Sequence, residues 1–383
     1  MKKITMFMML ITMLIMVSCK QSTNPETSNI PEGLNGKALE LYTKAEAGDV
    51  QAQYELAKCY VDGIGCKKDP VETFKWLKKA ADQDDIRAQC MVGFFYYSGE
   101  GTEKNDSLAN DILTKVYGRA KQLAEKGNTS AMFALGHLYG SGFGGATLDQ
   151  NQAVDWWKKG TELGDKDCRA NLIKYYYAKS DYWRIVPLLD QGVKEGDALS
   201  MYNLGDCYFK GDGVERDYAK AVELYEKAAK QGHATAKNNL GMCYKLGKGV
   251  VQDYTMAVKL FKEGADQEDL VAKHNLGLCY YNGQGVEQDY AKAVQLFEEA
   301  KEKGYTSLGD CYFEGHGVER DYIKAVELYK KGAELGDAVA ISNLAYCYLY
   351  GYGVPQDHAT FSRLIELAAS LGEPSAVKVV YGR

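Results

Sequence analysis

The stretch "NLGMCYKLGKGVVQDY", residues 239–254, contains an asparagine, a cysteine, a Gly-Lys-Gly turn and an acid. Read alone it resembles a reactive site. Upstream stands "NLGDCYFKGDGVERDY" (203–218), and downstream "NLGLCYYNGQGVEQDY" (275–290). The residue after the Leu of each signature recurs as Ala57, Gly93, Gly136, Ile173, Gly205, Gly241, Gly277, Gly309 and Ala345, at intervals of 36, 43, 37, 32, 36, 36, 32 and 36 residues. A fixed period of this kind marks stacked structural units. Nine units cover roughly residues 38–372, and the tail "EPSAVKVVYGR" begins one further helix that caps the last unit.

Each unit reads as two helices. In "ALSMYNLGDCYFKG" (198–211), Leu199, Tyr202, Gly205, Cys207 and Tyr208 recur at three- and four-residue steps, the spacing of one helical face. Glycine in mid-helix is unfavourable, so its recurrence implies that two helices approach closely there. The "GDGV" that follows breaks the helix. Asp217 stands where an N-cap acid belongs. After it Ala221, Leu224, Tyr225 and Ala228 form a second apolar stripe, closed by Gly232.

The sixth unit carries Leu240-Gly241, Tyr244, Gly247, Gly249-Val250, Asp253, Ala257 and Gly264. This pattern closely resembles the Sel1-like repeat, a relative of the tetratricopeptide repeat. The resemblance implies an all-α fold, an α/α solenoid superhelix in which each helix pair packs on the next. Three units depart from the pattern. The fourth, "CRANLIKYYYAKSDYWRIVPLLDQG", lacks the Gly-x-Gly loop and has Pro187 in or near its second helix, which predicts a change of pitch near 165–196. The second carries about seven extra residues, two helical turns, and so predicts a longer second helix. The eighth, "GYTSLGDCYFEGHGV", has lost one turn from its first helix.

The amino terminus has a different character. "MKKITMFMMLITMLIMVSC" has two lysines, an uncharged Met/Leu/Ile run, and a small residue before Cys19. The run has the length of a secretory signal and is short for a spanning helix. Met16-Val17-Ser18-Cys19 resembles a bacterial lipobox, with Met at the position where Leu is usual. That resemblance implies a signal peptide over 1–18, cleavage before Cys19 and lipidation of Cys19. Several chains on one residue would hold the protein at a bilayer. Lys20 in place of an Asp after the cysteine favours the outer membrane. Residues 19–36 follow as the lipidated cysteine and a polar tether, which reaches about 20–25 Å as a coil. The solenoid then occupies 37–383. The net charge is −6, and removal of Lys2 and Lys3 with the signal leaves 44 basic and 52 acidic residues. No basic face is available for nucleic acid.

Motifs that suggest chemistry dissolve on inspection. Cys59, Cys207, Cys243, Cys279, Cys311 and Cys347 share one repeat position, which holds Phe95 and Leu138 elsewhere, so they are expected as buried core thiols. Cys66, Cys90 and Cys168 fit no disulfide pair. The five histidines show no metal-ligand spacing, and neither metal nor cofactor is expected. "GMCYKLGK" (241–248) has five residues between its glycines where a phosphate loop has four, and lacks the following Ser or Thr. "SAVK" (375–378) matches Ser-x-x-Lys, without the Lys-Thr-Gly that accompanies it in penicillin-interacting enzymes.

One polar feature remains. Asn171, Asn203, Asn239, Asn275 and Asn343 all precede the Leu of the signature, while Glu55, Met91 and Ala134 stand there in the first three units and Ser307 in the eighth. Asparagine is a poor mid-helix residue. The resemblance to tetratricopeptide arrays implies a concave groove in which such asparagines hold an extended peptide backbone, since an amide offers both acceptor and donors. The alternative is that each bonds the backbone of the adjacent repeat. The leading expectation is a non-catalytic, lipid-anchored scaffold at the bacterial cell envelope, binding a protein or peptide partner. Two alternatives are a cell-wall enzyme of the β-lactamase or penicillin-binding type, and a glycan-binding spacer that uses tyrosines as stacking platforms. Against the latter, Tyr208, Tyr244 and Tyr280 recur at packing positions.

Overall fold

The computed structural model describes Pro31, Gly33, Leu34 and residues 36–382. Cys19 and the 1–18 segment lie outside the described residues. Among these there are 20 α-helices and one 3₁₀ turn. They divide into two compact units, one up to Lys174 and one from Tyr175.

The first unit contains α1 (Gly36–Glu46), α2 (Val50–Asp62), α3 (Pro70–Asp82), α4 (Ile86–Ser98), α5 (Asp106–Ala124), α6 (Thr129–Ser141) and α7 (Gln150–Glu162). The division falls inside α8 (Lys166–Ala178). The second unit continues with α9 (Tyr182–Lys194), α10 (Ala198–Lys210), α11 (Tyr218–Lys230), α12 (Ala234–Leu246), α13 (Tyr254–Ala265), α14 (Leu270–Asn282) and α15 (Tyr290–Glu299). After the 3₁₀ turn Lys301–Lys303 come α16 (Tyr305–Glu314), α17 (Tyr322–Glu334), α18 (Ala338–Tyr350), α19 (His358–Ser370) and α20 (Pro374–Tyr381). Even-numbered helices from α2 to α18 are the first helices of the nine repeats, and α20 is the capping helix. The fourth pair, α8 and α9, is the one without a Gly-x-Gly loop, and Pro187 lies inside α9.

Acid caps start the helices. Asp217, Asp253 and Asp289 each accept a backbone N–H at the start of a second helix, and Asp197 and Asp269 do so for first helices, satisfying donors that a helix leaves open. At α12 a histidine takes this role: His233 accepts from Ala236 N–H through Nδ1 at 3.2 Å.

The mid-helix glycines admit rings. A Cβ on Gly241 would lie 2.7 Å from Phe261, on Gly277 2.6 Å from Phe297, and on Gly309 2.6 Å from Tyr329. The second glycine of each loop has a different duty. Gly249 (φ +75), Gly285 (φ +74) and Gly353 (φ +69) press on the carbonyls of Tyr218, Tyr254 and Tyr322, the first residues of the preceding repeats' second helices. The long helix α5 is revealing here. It has 19 residues where most have 13, and the matching contact of Gly144 falls on the carbonyl of Leu113. The extra two turns were therefore added at its amino end.

The expected stripe of α11 is buried, with Ala221, Leu224, Tyr225 and Ala228 in the core. That of α10 needs one correction. Leu199 is 55% exposed, while Met201 and Leu204 are buried beside Gly205 and Cys207. Counting from Gly205, the buried row runs back through Met201 by one helical turn, and Leu199 sits on the other side. The shortening in the eighth repeat is also shared between helices. α15 and α16 have ten residues each, with the 3₁₀ turn between them, so the lost turn is not taken from the first helix alone. The nine described cysteines form no disulfide, and Cys66 alone of them is not buried.

Candidate functional site

The asparagines stand on the first helices, and most of their amides are engaged. Asn239 Nδ2 donates to Asp206 Oδ1 at 3.0 Å, Asn343 Nδ2 to Asp310 Oδ1 at 2.9 Å, and Asn275 Nδ2 to Asn238 Oδ1 at 2.8 Å. Each bond joins one repeat to the one before it. The partner is a side chain, not the backbone that the sequence alternative named. Asn171 Nδ2 donates to Asp167 O of its own helix at 2.9 Å.

The acids explain the pattern. Asp206 Oδ1 also accepts from Tyr225 Oη at 2.6 Å, and Asp310 Oδ1 from Tyr329 Oη at 2.7 Å. A glycine gap brings the tyrosine ring against the first helix, and its buried hydroxyl needs an acceptor. The acid next to the glycine supplies it, and the following repeat's asparagine shares it. Where the second helix carries Phe261 or Phe297 instead, Met242 or Leu278 replaces the acid. Asn275 then faces no acid and turns to Asn238. The eighth and capping positions continue the file through His274 Nε2 to Ser307 Oγ at 3.0 Å and Ser342 to Ser375 at 3.4 Å. Sequence reasoning missed the acid and the tyrosine. The signal was there, since both acids precede their tyrosine by 19 residues and their asparagine by 33.

The two acids differ in charge environment. Asp206 Oδ2 has Lys210 Nζ at 3.4 Å, and the equivalent of Lys210 beside Asp310 is Glu314. Burial first, then neighbouring carboxylates of Glu314 and Asp337, push Asp310 up to about 6, against the opposing bonds from Tyr329 and Asn343. The folded chain thus holds this proton more tightly than the unfolded chain, so Asp310 lowers stability as pH rises from about 4 through 6. Asp310→Asn keeps the accepting oxygen. It is expected to unfold at a higher urea concentration than the wild type at pH 7.5 and to flatten the change in midpoint between pH 5 and pH 7.5. A variant midpoint below wild type at pH 7.5 would contradict this account.

The file also has an exposed side. One turn before the asparagines stand Leu199, Val271 and Val339, which are 55%, 38% and 47% exposed. Seven residues after Asn239 and Asn343 stand the exposed Leu246 and Tyr350. Asn203 makes no hydrogen bond among the described residues, and its amide is available.

The first unit uses this face for itself. Asp167 on α8 meets Lys58 Nζ at 2.6 Å, 109 residues away in sequence, and Arg87 Nη1 at 3.6 Å. Arg87 also bonds Asp85 and Gln51 and lies 4.4 Å from the centre of the Tyr54 ring. Arg87 and Asp167 side chains are only 11% and 12% exposed. His137, packed against Phe133 and Trp157, is held down to about 4 by burial. First helices of repeats one, two and four are thereby tied together where the asparagines begin.

The motifs set aside in sequence take structural places. Lys248 lies over the Phe209 and Tyr218 rings at 5.1 and 5.3 Å. Ser375 donates to Glu373 Oε2 at 2.6 Å in the first turn of α20. Tyr208, Tyr244 and Tyr280 pack partly buried against the core. No group of three or more His, Cys, Asp or Glu residues able to hold a metal ion is present among the described residues. None of their helices is long and apolar enough to cross a membrane.

An array of helix pairs keyed by glycine loops is the architecture of a tetratricopeptide-like repeat protein. The chain belongs to the Sel1 repeat family: the family model matches residues 50–85, 86–126, 129–165, 198–233, 234–269, 270–305, 306–337 and 338–360. The fourth helix pair falls outside these matches. Among curated proteins, Chitin synthase regulatory factor 3 of Schizosaccharomyces pombe is 32% identical over 182 residues, covering 38% of this chain and 20% of that protein. Chitin synthase regulator SKT5 of Saccharomyces cerevisiae is 25% identical over 187 residues (47% and 25%). The ERAD-associated E3 ubiquitin-protein ligase component HRD3B of Arabidopsis thaliana is 30% identical over 129 residues (30% and 19%). The chain thus spans a quarter or less of the length of these relatives. Among solved structures, a Sel1 repeat protein of Oxalobacter formigenes is 30% identical with a TM-score of 0.50, covering 54% of this chain and 86% of that one. The protective antigen c5321 of uropathogenic Escherichia coli, with an SLR fold, is 23% identical with a TM-score of 0.48 and 89% coverage of both chains.

Proposed function

We propose that this protein is a non-catalytic scaffold, anchored by lipid on Cys19 at the bacterial cell envelope, on the outer membrane, that holds an extended segment of a partner protein along the first helices of its second unit. The observation that carries this reading is the exposed side of the polar file. There an unengaged amide at Asn203 and half-buried amides at Asn239 and Asn343 alternate with exposed Leu199, Val271, Val339 and Tyr350. Amides suit a peptide backbone whatever its side chains, and spaced apolar contacts add burial. Membership of the Sel1 family supports a role beside another protein, as do relatives named as chitin synthase regulators and as a ubiquitin-ligase component.

The engaged asparagines hold repeats together, so changing them would mix structure with binding. Asn203→Ala separates the two. It is expected to leave the urea midpoint unchanged and to weaken capture of the partner from native membranes about tenfold, the scale of one lost hydrogen bond to a desolvated group. Cys19→Ala is expected to move the protein from the membrane to the soluble fraction. A partner set captured equally by wild type and Asn203→Ala would remove the asparagine from the binding surface, and membrane retention of Cys19→Ala would remove the lipid anchor.

A further inference from the structure

The first repeat differs from repeats five to nine at one loop position. In later repeats the valine of the Gly-x-Gly-Val loop lies seven residues after the shared cysteine, and the two pack into one core. Val250 packs on the cluster of Cys243, Val286 on that of Cys279, and Val318 and Val354 on that of Cys311 and Cys347. In the first repeat that position is Cys66, seven residues after Cys59, and Cys66 packs on the cluster that holds Cys59.

The backbone is the same in both cases. Ile64 N–H donates to Cys59 O at 3.0 Å and Asp69 N–H to Tyr60 O at 3.1 Å. In the sixth repeat Lys248 N–H donates to Cys243 O at 3.0 Å and Asp253 N–H to Tyr244 O at 3.0 Å. Gly63 and Gly65 have φ of +77° and +69°, and Gly247 and Gly249 +65° and +75°. The loop therefore places Cys66 where valine stands in those later repeats, on the cluster that holds Cys59, with its sulfur 3.8 Å from Ile64 O.

We propose that Cys59 and Cys66 are a redox pair, which an external disulfide converts to an intrarepeat disulfide that staples the first loop to α2. The Cys66 thiolate attacks one sulfur of R–S–S–R and expels R–S⁻. The Cys59 thiolate then attacks the Cys66 sulfur of the mixed disulfide and expels the second R–S⁻. The two leaving thiolates take up the two protons that the cysteines lose, and the external disulfide receives both electrons. Cys66 is the entry point because it is partly exposed and Cys59 is buried. Burial pushes the Cys66 thiol up to about 11, with the Cys59 sulfur and Asp69 adding to the rise. The exchange is accordingly slow at neutral pH and faster in base.

The test uses the full chain in detergent, first reduced, then held folded with oxidised glutathione at pH 8.5, acid-quenched, unfolded and alkylated. Trypsin cuts after Lys58 and Lys67, so both cysteines fall on one peptide, residues 59–67. The expected peptide is unalkylated and about 2 Da lighter than the dithiol, the mass of two hydrogens. Cys59→Ala removes the second thiol and is expected to accumulate the glutathione adduct on Cys66. Cys66→Val puts in the residue of repeats five to nine and is expected to leave Cys59 fully alkylated. A doubly alkylated wild-type peptide after oxidation would overturn the proposal. So would a wild type that retains glutathione on Cys66 beside an intact Cys59.

Discussion

Gly285→Ala is expected to lower the stability of the full chain by about 3 kcal/mol or more, read from equilibrium urea unfolding, whereas Gly232→Ala costs about 1 kcal/mol. Both glycines are in the left-handed region, at φ +74° and +88°. An L-residue pays about 1–2 kcal/mol for that conformation wherever it occurs. Their surroundings separate them. A Cβ on Gly232 meets nothing within 4 Å, while one on Gly285 would sit 2.3 Å from Tyr254 O and 2.4 Å from Tyr254 C. Those are backbone atoms at the start of α13, and no rotamer change can move them aside. Relief requires the loop to shift off the preceding repeat, and overpacking of that kind adds about 1–3 kcal/mol. Equal losses in the two variants would show that the loop glycine serves local conformation alone.

Asp167→Ala is expected to destabilise the protein by about 3 kcal/mol, because it takes a carboxylate away from the largely buried Arg87 and leaves the partly exposed Lys58 with Glu55 alone. Removal of one member of a buried ion pair costs more than the pair contributes. Lys58 loses the partner at 2.6 Å, and Arg87 loses one of the two carboxylates around it. Arg87 Nε is already buried without a hydrogen bond, and the guanidinium keeps only Asp85, Gln51 and the Tyr54 ring. The exposed pair Lys227–Glu223 is the control, and Glu223→Ala is expected to leave the urea midpoint unchanged. A loss for Asp167→Ala that disappears in 1 M salt would mean the network is solvated, since screening reaches only exposed charges.

Much of the architecture could be read from the sequence because the repeat states it nine times. The recurrence of Gly205, Gly241, Gly277 and Gly309 predicts a close approach, and each meets a ring from its own second helix. Asp217 and Asp253 cap as their positions imply. The misplacement of Leu199 has a simple origin: it matched helical spacing from Tyr202, while the face is set by Gly205 and the ring beneath it. The Asp206–Tyr225–Asn239 and Asp310–Tyr329–Asn343 sets were missed for another reason. Their members belong to three helices of two repeats, and reading one column at a time hides a dependence between columns. The Lys58–Asp167 bond was beyond reach altogether. It depends on the small rotation that each helix pair adds to the last, summed over three repeats, and no local pattern records that sum. The fourth pair shows the converse. It lies outside the family matches and carries Pro187, yet α8 and α9 each reach 13 residues, because Asp165 still caps α8 and the buried Ile185 and Leu189 still give α9 an apolar stripe when the loop signature is gone.

The loop glycines also give the array a direction. Gly249 on Tyr218, Gly285 on Tyr254 and Gly353 on Tyr322 each reach back to an earlier helix, so a repeat is completed by its predecessor and offers a seat to its successor. Gene duplication that copies a span from one tyrosine seat to the next inserts a module that fits at both ends. A copy that starts in mid-loop carries the glycine without its seat, and lineages that lengthen such proteins should gain residues in whole periods counted between seats.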